Sequence, residues 1–176
     1  ATVGSDHELT GLLATRHLVE KGRRAIATVI GKPSRRVTQS RLRGYGRALE
    51  GAGRTYDESL VEEGRWEIEG AQAATRALFD RRPEIDAIFA QNDTMAIGVL
   101  SALSGLGKRV PEDCAVAGCD DIDIAAYTVP PLTTVHVPFY ETGAEAMRLL
   151  LTMIATGAPA ESNVVVPVHL IARAST

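Results

Sequence analysis

The stretch "IDAIFAQNDTMAIGVLSALSGLGKRVPEDCAVAGCDD" (residues 85–121) contains two short apolar runs on either side of a longer helical segment. The first run stops at Asn92 and Asp93, and the second stops at Asp120 and Asp121. The segment "TMAIGVLSALSGLG" between them has the length of a helix and ends at a glycine. Parallel neighbouring strands need a crossover connection, which is usually a helix. The stretch therefore predicts two parallel strands joined by a helix.

The same alternation continues in both directions along the chain. Helical patterns run from about Leu9 to Gly22, Thr38 to Gly53 and Ile68 to Phe79. Further strand-like runs are "AIATVIG", "SLVEEG" and "LTTVHV". Strands that alternate with helices form parallel sheets whose two faces are both covered. The predicted fold class is therefore α/β, a doubly wound parallel sheet flanked by helices.

Composition excludes several classes of protein. The 176 residues suffice for one domain or for a large part of a two-lobed one, and the net charge of -3 provides no broad basic face for nucleic acid. No apolar run approaches the roughly 18 to 20 residues that span a bilayer, and the N-terminus lacks the features of a signal peptide. We therefore expect a cytoplasmic protein without membrane contact, and the start at Ala1 rather than Met suggests that residues precede it.

Cysteine, histidine and glycine patterns give no sign of catalysis. Cys114 and Cys119 lie five residues apart around a predicted strand, so their side chains should point to opposite faces as reduced thiols. The four histidines lack metal-ligand spacing. No nucleophile elbow, catalytic triad or phosphate-binding loop is present, and the Gly-Lys of "GKPSRR" lacks the required glycine spacing. We predict no enzyme, no catalytic residue, no metal and no cofactor.

Polar and aromatic residues follow the predicted strands where each one ends. In open α/β sheets, ligands bind outside the carboxyl ends of the strands. Four such positions carry a guanidinium, an indole, an amide and a carboxylate, and they are Arg41, Trp66, Asn92 and Asp120. This set suits a polyhydroxylated small molecule, with hydrogen-bonding groups for hydroxyls and an aromatic face for a ring.

Each candidate also has a simpler interpretation. Asn92 precedes a helix and is equally suited to cap it, and Asp121 could cap "IDIAAY" and leave Asp120 as the ligand. Arg41 shares its helix with Arg43 and Arg47 and could be a solvated charge. Trp66 could pack against the surface of the lobe. The shared placement at strand ends favours the binding site.

Several segments together resemble one family of bacterial transcription regulators. The segments are "HLVEKGRRAIATVIG", "SRLRGYGRALEGAG", "AIFAQNDTMAIGVLSALSGLGKRVPEDCAVAGCDD", "PPLTTVHVPFYETGAEAMRLLL" and "PVHLIARAST". In order and spacing they are similar to the lactose-repressor (LacI/GalR) type, over nearly the whole chain. The resemblance implies a helix-turn-helix headpiece followed by a two-lobed effector-binding core, like that of periplasmic sugar-binding proteins.

The resemblance also implies roles for particular residues. The family's effector contacts fall on Arg41, Trp66, Asn92 and Asp120, and Phe139 matches a further position near the ligand. Two positions depart from the family pattern. Val137 stands where many members carry glutamine, and Cys119 replaces a frequent aromatic residue.

By the same resemblance, the chain is the C-terminal part of such a core. Residues 1–137 would form the C-terminal lobe, 138–157 a helix of the other lobe, and 158–176 the final crossover and C-terminal segment. We expect a ligand-responsive repressor that acts as a homodimer, with a sugar or related metabolite as effector and operator DNA bound by the headpiece. A purine or phosphorylated sugar remains open as effector. The alternative is a periplasmic sugar-binding protein of a transport system.

Overall fold

The computed structural model describes residues 1–158 and 163–176, and these contain eight strands and five α-helices. The strands are β1 (Thr2–Ser5), β2 (Ile26–Ile30), β3 (Val61–Glu63), β4 (Ala87–Ala90), β5 (Ala115–Asp120), β6 (Thr133–His136), β7 (Asn163–Val166) and β8 (His169–Ile171). The helices are α1 (His7–Glu20), α2 (Arg36–Gly51), α3 (Ile68–Arg81), α4 (Asp93–Gly105) and α5 (Phe139–Thr156). None of the helices in these ranges is long and apolar enough to cross a membrane.

Six of the strands form one sheet, in the order β3-β2-β4-β5-β6-β8. The first five are parallel to their neighbours, as the alternation of strands and helices predicted. β8 pairs antiparallel with β6 at the edge, and the sequence did not predict it. The doubly wound α/β fold is therefore confirmed, with one additional edge strand.

Helices cover both faces of this sheet. Side chains of α3 and α4 pack on one face around Leu78, Val99 and Val116. Side chains of α1 and α2 pack on the other face around Leu18 and Tyr45. Cys114 belongs to the first of these clusters and Cys119 to the second, and both are free and fully buried. The prediction that the two thiols point to opposite faces is confirmed, because successive side chains along a strand alternate between faces.

Local signals explain where α1 begins and ends. The carboxylate of Asp6 accepts hydrogen bonds from the backbone amides of Glu8 (3.0 Å) and Leu9 (2.9 Å), which would otherwise be unpaired at the helix start. The helix ends before Gly22, whose φ of 81° is readily adopted by glycine. The glycine was part of the sequence prediction, whereas the cap at Asp6 was not, and the helix begins two residues before the predicted Leu9.

The strands β1 and β7 form a separate, two-stranded parallel sheet. Two short connections join it to the six-stranded part, β1 to α1 and β7 to β8, and a third, β6 to α5, leads from the six-stranded part to α5. β1 therefore lies outside the main sheet, although it falls in the range 1–137 predicted for one lobe. The predicted final segment, 158–176, includes residues 159–162, which lie outside the described residues.

Helix α5 occupies the range that the sequence predicted, and most of its apolar face is exposed. Leu149 is the one buried residue of this helix, and the helix contacts β1. Met147, Leu150, Leu151 and Ile154 are each at least half exposed. A contiguous apolar face in water is unfavourable by about 25 cal/mol per Å², so this surface is expected to be covered in the whole protein.

Candidate functional site

The carboxyl ends of β2 and β4 mark the point where the chain reverses its direction across the sheet. From β2 the chain passes to β3 on one side, and it then returns to β4 on the other side of β2. The buried side chain of Gln91 bridges this point, because its Oε1 accepts from the Gly31 amide (3.2 Å) and its Nε2 donates to the Thr38 carbonyl (3.1 Å). Ligands of open α/β sheets bind in the crevice at such a reversal.

Arg41 lies in this crevice and is 3% exposed. One guanidinium nitrogen donates to the carbonyl of Gln91, and the other donates to Asp120 Oδ1 at 2.9 Å. The interpretation of Arg41 as a solvated charge is therefore wrong. Arg41 lies in α2, which follows β2. Its bond to Gln91 connects α2 to the end of β4, and its ion pair with Asp120 connects α2 to the end of β5.

Asp120 is largely buried beside Arg41, with 18% of its side chain exposed. Burial raises the pKa of this carboxyl, and the charge and hydrogen bond of Arg41 partly oppose that rise. Its backbone φ is 114°, a region that favours glycine. Asp120 therefore lies at the end of a buried strand with a strained backbone, and its ion pair with Arg41 stabilises the charged carboxylate.

Trp66 lies over the end of β2. Gly31 allows this, because a Cβ atom there would come within 1.9 Å of the indole ring. The ring is half-buried against the core, and the Arg41 guanidinium carbon lies 6.0 Å from its centroid. Trp66 itself has a φ of 69°. The structure thus brings Trp66, Arg41 and Asp120 into one contiguous group.

Asn92 stands at the end of β4 and caps α4, since its Oδ1 accepts from the Met95 amide at 2.9 Å. The interpretation of Asn92 as a helix cap is therefore confirmed for its side-chain oxygen. Its side-chain nitrogen has no hydrogen-bond partner among residues 1–158 and 163–176 and stays a candidate ligand contact. Asn92 joins the site through its neighbour Gln91, whose carbonyl accepts from Arg41.

Phe139 begins α5 and is 61% exposed. It shares a cleft of about 450 Å³ with Asp120, Asp121, His136 and Tyr140. A larger groove of about 610 Å³ lies along the exposed side of α2, and it contains none of the predicted site residues. Size alone therefore does not identify the site here, because the polar and aromatic groups converge on the smaller cleft and the adjoining crevice.

Asp121 does not cap the 3-10 helix Asp123–Tyr127, so that prediction is wrong. Its Oδ1 accepts from Arg173 at 2.7 Å, and its Oδ2 lies 3.0 Å from His136 Nδ1. The side chain is thereby turned towards β6 and the C-terminal segment. Of the two adjacent aspartates, Asp120 is the one paired with Arg41, and it stays the predicted ligand contact.

Sequence reasoning missed two buried polar residues of this region, Gln91 and Asp93. Gln91 directly follows β4 and Asp93 begins α4, so their position was visible, but nothing in the sequence showed that their side chains turn inwards. Among the described parts of the chain, no cluster of three or more His, Cys, Asp or Glu residues could hold a metal ion. The arrangement offers hydrogen-bond donors and acceptors together with aromatic side chains, which suits a binding site.

The fold and the cleft define an α/β ligand-binding lobe, and comparison with known proteins agrees. The family described as "Periplasmic binding protein-like domain" matches residues 15–176. The transcriptional regulator CelR of Thermobifida fusca is 41% identical over 165 residues, which is 94% of this chain and 48% of that protein. The transcriptional repressor PurR of Vibrio atlanticus is 41% identical over 144 residues, 82% of this chain and 43% of that protein.

Solved structures give the same result. A complex of CelR with cellobiose superimposes with a TM-score of 0.93 at 40% identity, covering 98% of this chain and 53% of that one. A sugar-binding LacI-family regulator from Escherichia coli, complexed with phosphate, gives 0.89 at 34% identity, covering 99% and 62%. The chain belongs to the periplasmic-binding-protein-like family, and the relatives and solved structures named above, to which it is similar, are transcription regulators. It spans less than half the length of these two relatives.

Proposed function

We propose that the chain is the C-terminal part of the effector-binding core of a LacI-type repressor. Residues 1–137 form most of one lobe, the helix in 138–157 belongs to the other lobe, and 158–176 return to the first. The short β1-β7 sheet and the exposed face of α5 support this division, because both need further chain to be covered. The length of the relatives supports it too, since more than half of each lies outside the match.

The effector of this site is a sugar. The observation that carries this proposal is the buried Arg41–Asp120 ion pair beside Trp66. A carboxylate and a guanidinium can exchange hydrogen bonds with adjacent hydroxyls, while an indole packs against the apolar face of a pyranose ring. Asn92 and Phe139 complete the contacts. The solved complex of CelR with cellobiose supports a sugar over a purine.

The proposed repressor is a cytoplasmic homodimer that binds operator DNA through a helix-turn-helix headpiece. Exposed apolar side chains at Ile124, Tyr127 and Val129 lie apart from α5 in sequence and support a contact with a second copy. Effector binds between the lobes and biases their closure, and the dimer transmits that bias to the spacing of the headpieces. Effector and operator affinities are then reciprocally coupled, by about 1 to 3 kcal/mol in such systems.

The coding sequence upstream of Ala1 tests this proposal most directly. A helix-turn-helix headpiece within roughly sixty residues of the start of the protein supports the regulator, because headpieces are small motifs. A leader with basic, apolar and small-residue regions supports the alternative, a periplasmic sugar-binding protein. In that case the proposed ligand contacts still hold, and the proposed binding of operator DNA is wrong. The transcription regulators among the relatives favour the first outcome.

Replacing Asp120 by Asn weakens effector binding without unfolding the lobe. The amide oxygen still accepts from Arg41, but the charge that strengthens the bond to a ligand hydroxyl is lost, and affinity falls about 10- to 100-fold. Calorimetric titration of the whole protein with cellobiose, followed by other mono- and disaccharides, measures the change. Asp80→Asn, the same substitution at an exposed site on α3, is the matched control. Unfolding of Asp120→Asn would show that Asp120 is structural and would remove it from the site.

A further inference from the structure

Asp93, the first residue of α4, has a fully buried carboxylate that the proposed effector site does not use. Its Oδ1 accepts from the Thr134 hydroxyl at 2.6 Å, and its Oδ2 accepts from the Ile122 amide at 3.0 Å. It packs against Gly118 so closely that a Cβ atom there would lie 2.2 Å from Oδ1. The side chain thus joins α4 to β6 and to the chain that leaves β5.

Residues 120–122, here called the elbow, carry the backbone from β5 into the following loop. Asp120 and Asp121 have φ values of 114° and 58°, so two consecutive non-glycine residues lie in a region that favours glycine. Such a conformation persists only where surrounding contacts hold it. On one side Asp121 is held by Arg173 and His136, and on the other side the Ile122 amide is held by Asp93.

Helix capping does not explain why a carboxylate is buried at this position. Asn92 already caps α4 through the Met95 amide, while both oxygens of Asp93 bond to groups outside the helix. Burial of a carboxylate is costly unless its hydrogen bonds compensate, although a helix N-terminus reduces that cost. The feature that Asp93 fixes is therefore the elbow, one residue of which is the effector-contacting Asp120.

We propose that Asp93 is a positioning residue, which holds the elbow at Ile122 and thereby keeps the Asp120 carboxylate against Arg41. This inference rests on the proposed function, because it assigns Asp93 a role in effector binding. Loss of the Ile122 bond frees the elbow to leave its strained conformation, and the Arg41–Asp120 pair then loses its fixed geometry. Effector affinity falls as a consequence.

The groups around Asp93 determine the pH at which its carboxyl binds a proton. Asp120 lies near it at the end of β5, with Arg41 of α2 beyond Asp120, and the Thr134 hydroxyl contacts it from β6. The thiol of Cys119 lies nearby on the opposite face of the sheet. Asp121 directs its own carboxylate to His136 and Arg173. Burial raises the pKa of Asp93 to about 7, with a smaller contribution from the negative charge of Asp120. Its protonation therefore changes near neutral pH.

The first experiment compares amide hydrogen exchange in three variants of the whole protein. In Asp93→Ala the Ile122 amide loses its acceptor and exchanges about tenfold faster or more. In Asp93→Asn the amide oxygen can still accept this bond, and exchange stays within about threefold of wild type. Thr134→Val removes the other bond of Asp93 and leaves Ile122 paired, so it is the matched control and also stays within about threefold. Cellobiose affinity should follow the same order.

Two results would overturn the proposal. One is unchanged exchange at Ile122 in folded Asp93→Ala, and the other is an equal acceleration in Thr134→Val. If wild type fails to bind any sugar while the exchange pattern holds, the choice of effector is wrong and the positioning of the elbow stands. If the exchange pattern fails while wild type binds sugar, the positioning role is wrong and the effector site stands.

A second measurement needs no destabilised variant. In wild type, the nitrogen and amide-proton shifts of Ile122 and the Nε–H shift of Arg41 should titrate together across roughly pH 5 to 9, around the Asp93 pKa of about 7. Asp93→Asn should abolish this shared transition, because it removes the titrating group and keeps the shape of the side chain. A transition at Ile122 that does not appear at Arg41 would show that Asp93 does not act on the effector site.

Discussion

Replacing Arg41 by methionine is expected to lower the free energy of unfolding by about 3 to 5 kcal/mol, the usual cost of removing one partner of a buried ion pair. Methionine fills much of the arginine volume, so the loss reports charge and hydrogen bonding more than a cavity. Asp120 and the carbonyl of Gln91 lose their donors, and the Asp120 carboxylate is left buried without a counter-charge. Urea denaturation at pH 8 measures the change.

Arg43→Met is the matched control, because it changes a second arginine of the same helix. The Arg43 side chain is 59% exposed and pairs with Glu8, so its removal should change stability by no more than about 1 kcal/mol. The double variant Arg41→Met with Asp120→Asn should recover part of the loss, since it removes the uncompensated charge. A loss in Arg41→Met no larger than in Arg43→Met would show that the buried pair does not stabilise the lobe.

The pH dependence of the Arg41→Met defect follows from Asp120. In wild type, Arg41 opposes the rise in the Asp120 pKa that burial causes, so the pKa rises further when Arg41 is removed. The folded variant then binds a proton at Asp120 more tightly than its unfolded chain does, and acidification stabilises it. The difference from wild type should therefore be smaller at pH 5 than at pH 8.

The sequence allowed the main sheet to be predicted because the signals that define it are local. Apolar runs of strand length alternate with helical patterns, and side chains such as Asp6 and glycines such as Gly22 mark helix ends. The burial of Arg41 also had a signal, since it lies one and two helical turns before Tyr45 and Leu49 on the buried face of α2. That spacing distinguishes it from Arg43 and Arg47.

Other features depend on contacts that sequence patterns do not encode. β1 pairs with β7 across about 160 residues, and each strand has four residues, too few for a period to be recognised. β8 has three residues and is antiparallel in a sheet whose other strands are parallel. The inward turn of Asp93 requires the missing Cβ of Gly118, a residue 25 positions away. Residue types at strand ends predicted the candidate site, but they could not predict which neighbours hold it in place.

Replacing Gly44 by alanine is expected to destabilise the lobe by about 3 kcal/mol, the upper range for overpacking a tightly packed interior. A Cβ atom at this position would lie 2.0 Å from the Glu8 carbonyl oxygen and 2.6 Å from the Leu12 amide nitrogen. These are backbone atoms of α1, so the added methyl group can be accommodated only if α1 and α2 move apart. Such a movement disturbs the packing around Tyr45 and shifts Arg41, one turn earlier on α2.

Gly46→Ala, two residues further along the same helix, should have the opposite sign. A Cβ atom there meets the Tyr56 ring at 3.7 Å, an ordinary contact. Alanine is preferred over glycine in a helix interior, so this variant should gain about 0.5 to 1 kcal/mol. Urea denaturation of both variants checks the pair, and equal effects would show that α1 and α2 separate easily. If the sign reversal is found, the close crossing of α1 and α2 stabilises the lobe and holds in place the helix that carries Arg41.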